Sequence, residues 1–284
     1  MPDFQRAYAV VGATGNCGLA LMQLLLAQHG VKINAYCRNK TKLCLLLPEV
    51  VHHKRVEIYE GSINDEELLA RCTRNCKAVF LVASTNDNVP GCRISQDLAH
   101  SIIRAFKMLK GLHEDSGDGP TVVLPKLCLL SSSTIDSHLS RHMGTLFRHI
   151  LTRSAFHVYK DLYLGEMILR QEEDWITTIY MKPGGISVDV QRGHELSLHD
   201  DQTFISYLDV AAGMIEACDD RTGNWDMQNV SVRNVAGVGT AKFPSGTPAC
   251  IFFGLLRYYF PFLHPYLPAT GPAGSGTSTG CVLR

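Results

Sequence analysis

Short runs of consecutive apolar residues alternate along this chain with longer segments whose apolar positions recur at helical spacing. The apolar runs predict strands over residues 7–11, 32–37, 56–59, 78–83, 127–130 and 176–181. The periodic segments between them predict helices over residues 19–28, 65–72, 95–109 and 156–172. Apolar strands that alternate with helices are typical of a parallel sheet covered on both faces. The pattern therefore predicts an α/β fold with a doubly wound parallel sheet.

The pattern is less regular in the last third of the chain. Residues 204–217 begin like a strand and continue as a helix, 229–235 predict one more strand, and 249–267 are rich in aromatic residues. No clean linker interrupts residues 1–268, so we predict one domain with a small C-terminal substrate lobe that lies mostly after about residue 183. The remaining residues, 269–284, are rich in Gly, Ser, Thr and Pro, and we predict a disordered tail there.

Composition narrows the function classes. The 27 basic and 27 acidic side chains cancel, which argues against a nucleic-acid partner. The ten cysteines form no Cys-x-x-Cys motif and mostly have apolar neighbours, as expected of reduced thiols in an intracellular protein. We recognise no signal peptide, no apolar run of transmembrane length and no metal-ligand motif among the twelve histidines. These features favour a cytoplasmic protein, with a homo-oligomer left open.

A glycine motif links the first strand to the first helix. The strand over residues 7–11 ends directly in Gly12-x-x-Gly15-x-x-Gly18. This order places a dinucleotide pyrophosphate at a helix N-terminus, where free N–H groups and the helix dipole favour negative charge. The motif thus predicts a Rossmann-type domain, and the cofactor contacts expected within it are Gly12, Thr14, Gly15, Asn16, Cys17 and Gly18.

The residues after the second strand indicate which dinucleotide binds. A carboxylate at that position favours NAD, whereas an arginine accommodates the 2′-phosphate of NADP. This chain has Arg38 there, and Lys40 or Lys42 adds charge, so NADP(H) is the predicted cofactor. Asp65 either meets the adenine amino group or caps a helix. Ala83 and Ser84 follow the fourth strand, which places them beside the cofactor at the same sheet edge.

Four segments in the right order resemble the short-chain dehydrogenase/reductase superfamily in its extended or atypical branch. They are 12–18 (GATGNCG), 130–133 (LSSS), 182–185 (KPGG) and 206–212 (SYLDVAA), and the resemblance covers about residues 6 to 235. A closer resemblance is to the averufin oxidase A family of fungal secondary metabolism, through residues 159–163, 172–175, 182–189, 191–194 and 202–206. That resemblance implies an aromatic polyketide substrate such as an anthraquinone or xanthone.

The superfamily resemblance implies a catalytic tyrosine with a lysine one helical turn later and a serine after the fifth strand. Tyr159 matches the tyrosine and Ser132 the serine, but position 163 holds a second tyrosine instead of the lysine. Tyr159 or Tyr163 would act as proton donor, oriented by Ser132, or both would pack at a helix interface. The adjacent residues 160–161 are expected to face solvent.

The end of the sixth strand adds a further candidate. Lys182 stands at the carboxyl edge of the predicted sheet, where its ammonium would neutralise a cofactor phosphate or a substrate phenolate, or simply extend to solvent. Pro183 and Gly184 follow it, and we expect their backbone to approach the nicotinamide.

These observations predict an NADP(H)-dependent oxidoreductase for a small aromatic polyketide in a fungal pathway. Because the tyrosine–lysine pair is broken, two alternatives stay open: an NADP-binding redox sensor of the NmrA type, or a nucleotide-binding isomerase or dehydratase. The aromatic stretch 251–267 has several readings, namely core packing, a cap over a flat substrate, a subunit contact or a membrane-surface contact.

Overall fold

The computed structural model of this chain describes residues 6–114 and 123–269. Its strands are β1 (Arg6–Val11), β2 (Val31–Cys37), β3 (Val56–Glu60), β4 (Ala78–Leu81), β5 (Lys126–Leu130), β6 (Thr178–Met181), β7 (Ile186–Ser187), β8 (His194–Ser197), β9 (Ile205–Ser206) and β10 (Asn229–Asn234). Its α-helices are α1 (Asn16–Ala27), α2 (Lys40–Leu46), α3 (Glu66–Thr73), α4 (Ile94–Glu114), α5 (Thr145–Ser154), α6 (Phe156–Arg170), α7 (Tyr207–Asp219) and α8 (Thr247–Tyr259).

The main sheet has eight strands in the order β3-β2-β1-β4-β5-β6-β10-β8. Every neighbouring pair from β3 to β10 is parallel, and only β8 at the edge runs antiparallel, against β10. Strands β7 and β9 form a separate small parallel pair. The predicted doubly wound α/β sheet is confirmed, and the short strands β7 and β8 are additions that no periodic pattern indicated.

Two apolar layers cover the sheet, because side chains alternate between its faces along each strand. Val10 and Phe80 join α1 and α7 in one buried cluster, whereas Val11 and Val79 join α3, α4 and α6 in the other. Both layers consist of buried, mostly aliphatic and aromatic side chains from the strands and from the helices that cover them. The order of the strands brings the carboxyl ends of β1, β4, β5 and β6 to one edge of the sheet, where ligands of such folds bind.

Some elements were not predicted. Helix α2 begins directly after Asn39, whose side chain accepts a hydrogen bond from the N–H of Lys42 at 2.7 Å. The aromatic stretch forms α8 and a 3-10 turn over Pro261–Tyr266. The predicted tail lies outside the described residues beyond Ala269.

The described helices and cysteines bear on membrane spanning and on disulfide bonds. Within residues 6–114 and 123–269, no helix is both long and apolar enough to cross a bilayer. The nine cysteines of these ranges are free thiols. Burial raises the pKa of the Cys17 thiol to about 12, which makes it a packing residue and not a nucleophile.

Candidate cofactor site and active site

The glycine loop is a close contact between backbone segments. Gly12 has a φ of +104°, and a Cβ there would lie 2.7 Å from the backbone nitrogen of Ala83. A Cβ on Gly18 would lie 2.2 Å from the carbonyl oxygen of Gly12. Because these neighbours are backbone atoms, neither position has room for a side chain. The loop therefore fits tightly against Ala83 after the end of β4, and the contact of Ala83 and Ser84 with the cofactor stays a prediction.

The N-terminus of α1 is open toward the same edge. Gly15 is the N-cap residue and supplies no side-chain hydrogen bond to the helix, and the first turn carries no acidic residue. A Cβ on Gly15 would meet only the Gly12 carbonyl, at 3.4 Å. Free N–H groups at a helix start without a carboxylate fit a bound phosphate. The residues of this loop therefore fit a dinucleotide pyrophosphate.

The neighbours of Gly15 in the chain differ in burial, and therefore in which of their atoms a cofactor could contact. Thr14 and Asn16 are half-buried at the loop. Cys17 is buried, and its thiol packs against the Met214 sulfur at 3.8 Å. Only the backbone of Cys17 is left for a cofactor contact.

The adenosine end carries two exposed cations. Arg38 follows β2, and both it and Lys42 are exposed. The backbone N–H of Lys40 donates to the Glu60 carboxylate at 2.9 Å. The carboxylate of Asp65 accepts from the N–H of Leu68 at 2.9 Å and so caps α3. Of the two roles considered for Asp65, the helix cap is the one the structure confirms.

The three serines after β5 have different hydrogen-bond partners. Ser131 donates to the Glu166 carboxylate, and Ser133 donates to Asp201. Ser132 lies between them, is only half-buried, and accepts from the backbone N–H of Thr134 at 3.3 Å. Ser132 is therefore the serine of this segment that faces outward.

Tyr159 is close to this segment, but its partner is not the predicted one. Its hydroxyl donates to the Thr134 side-chain oxygen at 3.5 Å. Thr134 is buried and was missed by sequence reasoning, since a threonine two residues after Ser132 carries no motif of its own. A threonine thus stands beside the candidate acid.

Tyr163 lies one turn after Tyr159 on α6, and its side chain is 51% exposed. Among the described residues, the structure gives Tyr163 no contact with the segment after β5, and its role as the alternative proton donor stays a prediction. Lys160 is exposed as expected, but the same expectation was wrong for Asp161, which is 3% exposed. The Asp161 carboxylate accepts from the N–H of Ser95 at 2.8 Å, at the start of α4, where the helix dipole favours an anion.

Lys182 is enclosed in protein. It is 3% exposed, and its ammonium lies 2.8 Å from a Glu166 oxygen and 3.5 Å from an Asp136 oxygen. Burial by itself would raise the pKa of Asp136, but backbone N–H groups of residues 138 and 139 and the Lys182 charge outweigh it and lower that pKa. Two carboxylates of the protein thus neutralise Lys182, and its burial shows that the predicted extension to solvent was wrong. Its contact with a cofactor phosphate or a substrate phenolate stays a prediction.

The network continues away from Lys182. Asn229 donates to Asp136 at 2.7 Å and accepts from Arg170 at 2.5 Å. The Arg170 guanidinium lies 3.8 Å from the centre of the Tyr180 ring. A cavity of about 340 Å³ is lined by residues that include Asp136, Arg170 and Asn229. The buried ions thus connect the segment after β5 to β10.

The Pro183–Gly185 turn is packed by protein on one side. Its Pro183 carbonyl accepts from the N–H of Ser133 at 3.0 Å. A Cβ on Gly184 would lie 2.7 Å from the Gln202 carbonyl oxygen. Because Gly184 and Gly185 have no side chains, residues 202–204 can pack directly against this turn. The expected approach of the turn to the nicotinamide stays a prediction.

Comparisons with known proteins agree with this geometry. Residues 12–113 match a family described as NAD(P)H-binding. The chain is 57% identical to the oxidoreductase AgnL4 of Paecilomyces divaricatus, covering 93% of this chain and 98% of that protein. It is 42% identical to the oxidoreductase aflX of Aspergillus parasiticus, covering 92% and 95%. A short-chain dehydrogenase/reductase of Veillonella parvula solved in complex with NADP superposes with a TM-score of 0.62 at 16% identity, covering 84% and 99%.

The chain belongs to the family of fungal oxidoreductases that includes AgnL4 and aflX. Relatives above 50% identity that are named oxidoreductases confirm the prediction of an oxidoreductase that binds NAD(P)H. The glycine loop and the open start of α1 lie within the matched NAD(P)H-binding segment. The likeness to the Veillonella protein supports the fold alone at that level of identity.

Proposed function

We propose that this protein is an NADP(H)-dependent oxidoreductase of fungal secondary metabolism that acts on an aromatic polyketide of the anthraquinone or xanthone type. The observation that carries the cofactor preference is the exposed Arg38 at the end of β2, with exposed Lys42 near it. A guanidinium at that position pairs with a 2′-phosphate, whereas an NAD enzyme needs a carboxylate for the ribose hydroxyls. The relatives named oxidoreductases and the resemblance to the averufin oxidase A family support the reaction and substrate class.

The cofactor supplies hydride transfer when it is bound. The N–H groups at the start of α1 would hold the pyrophosphate, and Arg38 would hold the adenosine phosphate. For reduction of a carbonyl, the cofactor would supply the hydride, and the Tyr159 hydroxyl would give its proton to the carbonyl oxygen. Ser132 donates a hydrogen bond to the same oxygen, and Thr134 keeps the Tyr159 hydroxyl in place.

The lysine that lowers the tyrosine pKa in the wider superfamily has no counterpart one turn after Tyr159. Lys182 acts instead as a positioning residue. Through Glu166 it holds Ser131, and through Asp136 it holds the turn that carries Thr134. Proton transfer from Tyr159 is therefore set up by neighbouring hydroxyls, and the lysine stabilises the segment that presents them.

Calorimetry with purified protein tests the cofactor preference. NADPH should bind at least about tenfold more tightly than NADH, and Arg38→Ala should remove most of that difference, since a charge-assisted pair contributes about 1.5–3 kcal/mol. Arg71→Ala is the matched control, because Arg71 is exposed on α3 in the same half of the molecule. Equal affinities of the wild type for NADPH and NADH contradict the preference.

Turnover tests the substrate class independently. NADPH fluorescence should fall with time when an anthraquinone or xanthone is added, and aliphatic ketones should leave it unchanged. Tight NADPH binding without turnover across aromatic polyketides contradicts the substrate assignment and leaves the cofactor assignment standing.

A further inference from the structure

The outer side of the C-terminal helix is apolar and open. Phe252 and Tyr259 are each 57% exposed and lie seven residues apart, on one side of α8. The opposite side faces the protein: a Cβ on Gly254 would touch the Ser154 carbonyl oxygen at 2.0 Å, and Arg257 is 1% exposed. The outward residues of α8 are therefore not the ones that hold it in place.

The exposed aromatic surface continues into the turn after α8. Phe260, Phe262 and Tyr266 are 48%, 70% and 84% exposed. We call these three together with Phe252 and Tyr259 the aromatic face. With Phe147 of α5, which packs against α8, this region holds six of the eight aromatic side chains that are prominently exposed in the described part of the chain. Exposed apolar area concentrated in one place marks an interaction site.

The segments that form this region differ from the rest of the chain in their charged residues. Residues 137–160 and 227–269 contain no Asp or Glu, although the whole chain has equal numbers of acidic and basic residues. Cations do occur there: Arg148 is half-buried beside Phe147 on α5, and Lys242 is exposed before α8. The charged side chains of these two segments, which carry the aromatic face and Phe147, are therefore all basic.

We propose that the aromatic face and the neighbouring cations of α5 dock on the headgroup region of a membrane that carries anionic lipids. Aromatic rings prefer the boundary between headgroups and acyl chains, and each Lys or Arg near an anionic leaflet adds attraction. A second copy of the chain fits less well. In a two-fold interface the same surface meets itself, and the cations of these segments would face one another with no carboxylate from either segment to pair with.

Co-sedimentation of the full chain with vesicles tests this assignment. Binding should be strong to phosphatidylcholine vesicles that contain phosphatidylserine, weak to phosphatidylcholine alone, and reduced by salt. The double variants Phe252→Ser/Tyr259→Ser and Phe262→Ser/Tyr266→Ser should each lower the partition coefficient at least about tenfold. Arg148→Gln should lower it about fivefold at low salt.

Leu45→Ser is the matched control, because Leu45 is 76% exposed on α2, away from the aromatic face, and should leave binding unchanged. All substituted aromatic residues are largely exposed, and unchanged thermal unfolding verifies that the variants are folded. Three outcomes overturn the proposal: no binding to either vesicle, equal binding to both, or binding that survives the aromatic substitutions. A dimer in analytical ultracentrifugation that Phe262→Ser/Tyr266→Ser dissociates would assign the surface to a second copy instead.

Discussion

The two halves of the sheet edge are built in different ways. Around β1, β2 and β4 the site consists of backbone: glycines at fixed spacing, close approaches to carbonyl oxygens and an uncapped helix start. Around β5 and β6 it consists of side chains that reach across the fold, such as Lys182 between Glu166 and Asp136. A backbone site tolerates almost no added atom, whereas a side-chain network depends on every partner being present.

The comparison suggests where each kind of substitution acts. Around β1, β2 and β4, an added methyl group should lower stability where two backbone segments touch and should lower cofactor affinity where the helix start is open. Changes in the side-chain half should act on turnover or on the stability of the whole domain. The following experiments test this division, beginning with the largest expected effect.

Tyr159→Phe should reduce turnover by about 10²–10⁴-fold while NADPH affinity stays the same, because a positioned acid contributes rate and not cofactor binding. Steady-state kinetics with an aromatic polyketide and calorimetry with NADPH measure the two quantities. Tyr163→Phe is the control from the same helix, and its exposed side chain predicts wild-type turnover. A Tyr159→Phe enzyme as active as Tyr163→Phe would exclude Tyr159 as the acid.

Lys182→Met should lower the free energy of unfolding by about 3–5 kcal/mol, since it leaves buried carboxylates without their cation. Urea denaturation measures this loss, and adding Glu166→Gln to Lys182→Met should recover part of it. Lys77→Met serves as the comparison, because the Lys77–Asp219 pair is partly exposed and such pairs contribute about 0–1 kcal/mol. If the two lysine variants are equally stable, the buried network has no special role in stability.

Gly18→Ala and Gly15→Ala should separate folding from cofactor binding. Gly18→Ala pushes a methyl group onto the Gly12 carbonyl and should cost about 1–3 kcal/mol of stability. Gly15 has φ −81° and ψ 164°, which alanine adopts readily, so Gly15→Ala should unfold like the wild type but bind NADPH at least about tenfold more weakly. Wild-type NADPH affinity in Gly15→Ala would show that the pyrophosphate lies elsewhere.

The smallest expected effect is that of Asp189 on the free energy of unfolding at low pH. Burial alone would raise its pKa, but the N–H of Lys242, the Arg192 guanidinium and the N–H of Val190 together lower its pKa to about 2. Because the folded pKa lies below that of the unfolded chain, ionised Asp189 stabilises the fold above about pH 4, and this stability is lost as the pH falls toward about 2.

Urea midpoints measured across that pH range should therefore fall less in Asp189→Asn than in the wild type, by the equivalent of about 1–2 kcal/mol. Glu67→Gln, an exposed carboxylate on α3, is the control and should behave like the wild type. Parallel curves for Asp189→Asn and the wild type would show that this carboxylate contributes nothing to acid stability.

The sequence predicted those elements whose structure is specified by the residues of the element itself. Strands β1 to β6 were predicted within about two residues at each end, because a continuous apolar run between turns has few other structures open to it. Helix α2 was missed, since its seven residues show too little periodicity and its start depends on the Asn39 cap. The position of Thr134 beside Tyr159 was missed as well, because 25 residues separate them in the chain.

By itself, then, the sequence determined the parallel sheet, the glycine loop and the cation after β2, since each depends on residues adjacent in the chain. Only the tertiary structure decided that Lys182 is neutralised by Glu166 and Asp136, that Tyr163 faces solvent, and that Asp161 caps α4. The physical reason is that burial and ion pairing arise from segments far apart in the chain. A side chain's charge partner and its access to a substrate are properties of the packed fold, and the spacing of residues along the chain does not predict them.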